Sequence, residues 1–216
     1  MGATPTEAAG SMTFARHHRG ASSLAPSADL AVAQAAVRAV PPGDRAREDC
    51  RRRILAFLAA HPDALHRSCT PGHLTGSALV IDVATRRTLL LFHAKVRRWL
   101  QPGGHADGDA NLAAVALREA EEETGIEGLS VVTPAIDLDV HWFHHAGGAE
   151  RDHLHLDVRY LVLAPAGSVA VTNHESEGHR WVGLDDLVAL AVDLGTQRMA
   201  RAGFAVLNGL SPRQEG

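Results

Sequence analysis

Over residues 44–60 apolar side chains return every three to four positions. Cys50, Ile54, Phe57 and Leu58 define one side, and Arg45, Arg47, Arg51 and Arg52 the other. That period predicts an amphipathic helix. The arginines read as a solvated face, with an anion- or partner-binding surface as the alternative. The Ala-rich stretch 29–40 also has helical composition and stops at Pro41-Pro42. From Gly72 onward the rhythm changes. Residues 77–83 and 88–92 are short aliphatic runs separated by the polar 84–87, which predicts a hairpin. Residues 109–124 predict a strongly amphipathic helix closed by Gly125 at its C′ position. Two long strands are expected over 131–144 and 153–164, joined by a turn around Gly147-Gly148. A short strand is expected over 178–182, and helices over 184–194 and 196–207. Several strands lie too close in sequence for parallel crossovers. The expected fold class is therefore α/β: a mixed sheet covered by helices on both faces.

Residues 1–28 differ. They are rich in Ala, Ser, Thr, Gly and Pro, show no apolar period, and read as a disordered tail without the apolar stretch of a signal peptide. Met12 offers an alternative start. The expected organisation is thus a tail (1–28), a helical N-terminal extension (29–70) and a main domain (71–210). Among 216 residues, 45% are hydrophobic, which is enough for a core. No run is long enough to span a membrane. The formal charge of −4 argues against a protein that wraps nucleic acid. Two cysteines, Cys50 and Cys69, make neither a disulfide framework nor a zinc knuckle, so a reducing cytoplasm is the expected location. The single lysine, Lys95, among many arginines and alanines reflects base composition rather than function.

Candidate chemistry lies in the last turns of the 109–124 helix. Glu119, Glu122 and Glu123 are related by i, i+3 and i+4, so their carboxylates leave one face. Three like charges at a helix C-terminus repel one another and oppose the helix dipole. A divalent cation removes that conflict, and hard oxygen donors suit Mg²⁺ or Mn²⁺. The alternative is a solvated acidic face.

The surroundings of this helix decide between the two. Gly104, then Arg118-Glu119, an aliphatic position at Ala120, Glu122-Glu123, Gly125 and Ile126 resemble the Nudix box. That box is a glycine, five residues, Glu, seven residues, Arg-Glu, an aliphatic, any residue, Glu-Glu, any residue, Gly, an aliphatic. The resemblance is tight over 104–126 and loose, through strand order and Trp181, over about 75–195. Its first glutamate falls at Ala110. Asp109 stands one residue early and Asp107 three early, so the loop before the helix is expected to be short and the helix long. Asp109 is also a good N-cap.

The resemblance implies a Nudix-type α/β/α sandwich and hydrolysis of a pyrophosphate bond in a nucleoside diphosphate linked to another moiety. It maps Glu119, Glu122 and Glu123 onto metal ligands, with the Gly103 carbonyl as a further donor and Mg²⁺ (or Mn²⁺) as the cofactor. Glu119 and Glu122, with Arg118 orienting a carboxylate, form the catalytic set. A later-loop carboxylate, Glu175 or Glu177, serves as base or ligand. Lys95, Arg97, Arg98 and Arg159 are candidate substrate contacts. A nucleotide-sensing or interaction module on the same fold is the competing reading, and Ala110 is its main support. The expected partner is a small nucleotide-type substrate, with neither membrane nor nucleic acid, and a homodimer is allowed.

Histidines crowd the two long strands. His153, His155, Asp157 and Arg159 share one face of a strictly alternating run, with His141, His144 and His145 on the neighbouring strand. Metal binding, substrate contact and simple hydrogen bonding all remain open for them. His66, His73, His93 and His105 carry no specific signal.

Overall fold

The computed structural model describes residues 13–143, 152–171 and 173–210. The turn expected around Gly147-Gly148, and with it His144 and His145, lies outside the described residues. The elements run in the order β1 (Ala15–His18), a single 3-10 turn (Ser22–Leu24), α1 (Leu30–Ala39), α2 (Arg45–Ala60), β2 (Gly72–Asp82), β3 (Arg87–His93), β4 (Arg98–Leu100), β5 (Gly103–His105), α3 (Leu112–Thr124), β6 (Ser130–Phe143), β7 (His153–Ala164), β8 (Ser176–Val182), α4 (Asp186–Ala189) and α5 (Leu194–Gly209). An eight-stranded sheet has the order β1-β6-β7-β2-β3-β4, with β5 on β2 and β8 on β3. β2 and β7 pair in parallel, and every other ladder is antiparallel. The hairpin expected at 77–92 is β2 turning into β3, paired at Ile81–Thr88.

Alternation along β2 separates the two helical layers. Leu74, Ala78 and Val80 join one core cluster with Leu112, Val115, Ala116 and Ala120 of α3. Val37 of α1 and Cys50, Ile54 and Leu58 of α2 complete that cluster, so the N-terminal helices extend the layer that α3 begins. Leu79 and Ile81 face the opposite way, onto Met199 and Ala200 of α5. The result is an α/β/α sandwich. Close approach of α3 is enforced at Gly76, where a Cβ would lie 2.8 Å from the Leu112 carbonyl oxygen. Cys50 and Cys69 are free and buried. Among the described residues no helix is long and apolar enough to cross a membrane.

Three expectations are corrected. From residue 13 the expected tail is ordered: β1 pairs Ala15–His18 against Ser130–Thr133, and Leu24 is buried in the main core. The Ser27 amide donates to Asp109 Oδ1 (3.0 Å), the Ala110 amide donates to the Ser27 carbonyl (2.6 Å), and Asn111 Nδ2 donates to the Ser23 and Ala25 carbonyls. Backbone hydrogen bonds and one well-placed leucine thus order a segment whose composition lacks an apolar period. Second, α3 does not begin early. Asn111, not Asp109, is its N-cap, accepting from the Ala114 amide, while Asp109 bonds the amides of Ser27 and Asn111. The loop before α3 is therefore long and the helix short, opposite to the expected compensation. Third, the helix expected over 184–194 is reduced to one turn. Ala191 adopts φ +51°, a left-handed conformation that terminates it.

Candidate active site

Gly125, in the left-handed conformation, closes α3. Its last two turns thus present Glu119, Glu122 and Glu123 beside β5. A Cβ at position 104 would sit 2.4 Å from the Glu119 carboxylate, so any larger residue there would push that carboxylate from its place. The Gly103 amide donates to Glu123 Oε1 at 3.0 Å. Arg118 Nη2 donates to Glu119 Oε1 at 2.9 Å and to the His105 carbonyl at 3.4 Å, and Arg118 Nε lies 4.0 Å from Glu122 Oε1. Glu119 is mostly covered, whereas the Glu122 side chain is 62% exposed and faces the solvent through which a ligand arrives.

The electrostatics of this group would suit a bound cation. Burial pushes the Glu123 carboxyl up to about 8, against the pull of the Gly103 amide, and the charges of Glu119, Glu175 and Glu122 add to the rise. Glu119 is also raised by burial, a rise that its bond to Arg118 opposes. Carboxylates held together at this expense fit a hard divalent ion, which restores what desolvation and mutual repulsion remove.

Glu175 and Glu177 part company here. The Glu175 carbonyl accepts from the Ala94 amide at 2.9 Å, which ties the segment before β8 alongside the end of β3, and its side-chain charge acts on Glu123. Glu177 is ion-paired with Arg97, which lies over the Phe92 ring at 4.9 Å. Lys95 and Arg98 sit in and after the β3–β4 turn with exposed side chains. The aspartates considered as replacements for the missing box glutamate are held by other partners, although the Asp107 charge still acts on Glu119. Asp107 makes a two-pronged ion pair with Arg67, both contacts at 2.7 Å, and Asp109 is occupied by the two amides described above. Ala110 itself is fully buried in the main core.

Arg159 is corrected. Expected at the substrate, it is instead 2% exposed and neutralised internally. It pairs with Asp157 (2.7 Å), Asp139 (3.0 Å) and Asp137 (3.7 Å). Arg198 of α5 and Arg47 of α2 also reach Asp137, and the hydroxyls of Thr75 and Ser77 donate to Asp157. Asp139 and Asp157 stand directly opposite one another on β6 and β7, and the Arg159 guanidinium offsets their repulsion.

A family model of the NUDIX domain matches residues 73–202. The chain belongs to the Nudix family. Rat bis(5′-nucleosyl)-tetraphosphatase (asymmetrical) is 29% identical over 114 residues, covering 51% of this chain and 74% of that protein. An Ap4A hydrolase from C. elegans, solved as a binary complex, superposes with a TM-score of 0.52 at 20% identity, over 63% of this chain and 98% of its own. At that identity the likeness shows the fold, and it is the same sandwich. With the glutamates of the box in place, this Nudix protein is a pyrophosphohydrolase.

Proposed function

We propose that this Nudix protein hydrolyses a pyrophosphate bond in a nucleoside diphosphate linked to another moiety, with Mg²⁺ or Mn²⁺ as cofactor, in the cytoplasm. The observation that carries the reading is the meeting of Glu119 and Glu123 at Gly103-Gly104, with Glu122 on the solvent side and the charge of exposed Glu175 acting on Glu123. Glu119, Glu122 and Glu123 would hold the ion, with the Gly103 carbonyl a further donor. When bound, such an ion neutralises the polyanionic substrate and lowers the pKa of a coordinated water. The chain's own groups do the rest. Arg118 fixes the Glu119 carboxylate by a charge-assisted bond, and the Gly103 amide fixes Glu123. Of the two later-loop carboxylates, Glu175 is favoured as base or ligand, because its charge acts on Glu123 whereas Glu177 pairs with Arg97. Lys95 and Arg98 supply positive charge on the rim for substrate phosphate.

The rat relative is named for a dinucleoside tetraphosphate, which makes dinucleoside polyphosphates the first substrate class to assay. The test is steady-state hydrolysis of nucleotide, nucleotide-sugar and dinucleoside pyrophosphates with Mg²⁺ or Mn²⁺, comparing wild type with Glu119→Gln. That substitution keeps shape and removes charge. Its effect should appear in kcat more than in KM, because charge develops in the transition state. A fall of roughly a hundredfold or more, about 3 kcal/mol, is expected. Turnover at the wild-type rate would show that catalysis does not run through this box.

A further inference from the structure

A second cluster of titratable groups lies beyond the carboxylates, on the sheet face opposite α3. His73 of β2, His105 of β5, and His153 and His155 of β7 bring one ring nitrogen each to within 4.8 Å of one another. The strand register produces this. His73 pairs with His155 across the parallel β2–β7 ladder, and His105 pairs with Thr75, two residues along the same face as His73. Ring centroids lie 4.6 Å apart for His73–His153, 4.8 Å for His73–His105 and 5.1 Å for His105–His155. The Nε2 atoms of His153 and His155 are 3.1 Å apart. Phe143 stacks on His155 at 4.9 Å and 14°, covering the cluster with an apolar ring.

Two features point to a ligand rather than to ordinary packing. His73 is 3% exposed, and no side chain among the described residues hydrogen-bonds its ring nitrogens, the Cys69 backbone being the one hydrogen-bonding group that acts on it. One nitrogen of a neutral imidazole carries a lone pair, and buried with no donor opposite it that lone pair is destabilising, so the position suits a cation that binds it. In addition, burial holds His73 down at about 4, and burial with the neighbouring imidazoles holds His155 lower still. At neutral pH these rings are uncharged, the form that binds metal.

We propose that His73, His105, His153 and His155 form a binding site for a transition-metal ion of the Zn²⁺ class, separate from the Mg²⁺ or Mn²⁺ site of the glutamates. The donor set separates the two sites. Imidazole nitrogen suits Zn²⁺ and its neighbours, whereas carboxylate and carbonyl oxygen suit Mg²⁺. A tetrahedral ion with Zn–N bonds of about 2.0–2.1 Å requires nitrogens roughly 3.3 Å apart, a spacing reached from the observed one by small ring rotations. The ion would tie β2, β5 and β7 together at one end of the sheet. Because His105 follows Gly104, it would also fix the strand that carries Gly103 and packs against Glu119. The site is therefore structural toward the box and does not replace its metal.

The test uses the full-length, chelator-stripped protein titrated with Co²⁺ and followed by visible absorption, then by displacement with Zn²⁺. Four imidazoles in a tetrahedral field give an intense d–d band, whereas oxygen donors in an octahedral field give a weak one. The expected result is an intense band saturating at equimolar Co²⁺, retained in Glu122→Gln and abolished in His155→Gln and His105→Gln. X-ray absorption of the Zn²⁺-loaded wild type should show a nitrogen shell at about 2.0–2.1 Å. This measurement decides the matter even if a histidine variant fails to fold. A weak band only, a band lost in Glu122→Gln but kept in His155→Gln, or an all-oxygen shell would overturn the proposal.

Discussion

Glu123 carries the largest upward shift among the carboxyls of the candidate active site, and replacing it with glutamine should remove the pH dependence of stability that it imposes on the metal-free protein between pH 6.5 and about 8. Its carboxyl is pushed from 4.5 to about 8, chiefly by burial. Between those values the native state holds a proton that the unfolded state has released, so stability falls as pH rises and the loss is complete only above about 8. His73 and His105, held near 4, act in the opposite sense, but only up to the ordinary histidine value of 6.5. From pH 6.5 to about 8 Glu123 therefore dominates. Roughly 1.5 pH units at 1.36 kcal/mol each is about 2 kcal/mol lost by the wild type. Glutamine keeps the shape and can still accept from the Gly103 amide, but it cannot ionise. Glu123→Gln should be flat over this window and more stable than wild type at pH 8. Contributions from other groups cancel in the difference between the two proteins. The assay is urea unfolding in excess chelator at several values from pH 6.5 to 8. Adding Mg²⁺ should then restore the wild type and leave the variant unchanged, since an ion that binds only the native state stabilises it. Parallel pH curves for the two proteins would refute the argument.

Three further outcomes follow from the fold. Deleting residues 1–28 removes β1 and the buried Leu24, worth about 2 kcal/mol of burial plus several hydrogen bonds of roughly 1 kcal/mol each. The thermal midpoint should fall by about 10 °C, read by calorimetry, and an unchanged midpoint would show that the segment contributes nothing. Ala110→Glu places a carboxylate in the core and should destabilise by about 3 kcal/mol or more without gain of activity; a wild-type melt would contradict the burial of Ala110. Arg159→Leu leaves buried Asp157 without a cation, while Asp137 keeps Arg47 and Arg198 and Asp139 keeps Arg198, and it should cost about 3 kcal/mol at neutral pH. Part of that loss should return on acidification, as the aspartates protonate, and a pH-independent loss measured by denaturant titration would count against the ion-pair account.

What could be read from the sequence is what depends on local period. β7 alternates strictly, so the shared face of His153, His155, Asp157 and Arg159 was legible, and so was the common face of Glu119, Glu122 and Glu123 on α3. What those faces meet was not. Arg159 looks the same in sequence whether it contacts a phosphate or three aspartates. Its true partners come from β6 and β7, and the arginines that share them from α2 and α5, brought together only by tertiary packing. His73 and His105 gave no signal for the same reason. They are remote in sequence from each other and from β7, and only the parallel β2–β7 register with β5 hung on β2 makes them neighbours of His153 and His155. The distinction between Glu175 and Glu177 likewise needed the position of Arg97 across from β8.

Two departures from expectation, the ordered N-terminal segment and the alanine in the box, have one physical cause. Ala110 lies where the chain from Ser23 to Ser27 crosses the entrance to α3, and its amide donates to the Ser27 carbonyl at 2.6 Å. Asp109 and Asn111 on either side of it spend their side chains on the same segment. A glutamate at 110 would have to place its charge in the core that this crossing closes. The first turn of α3 is thus committed to holding the N-terminal strap. The last two turns, where Glu119, Glu122 and Glu123 stand, remain available for a metal ion. Burial of Ala110 is therefore a consequence of packing at the opposite end of the helix from the carboxylates. It gives no ground for reading the box as inactive, because the groups that assemble beneath Gly103-Gly104 do not touch it.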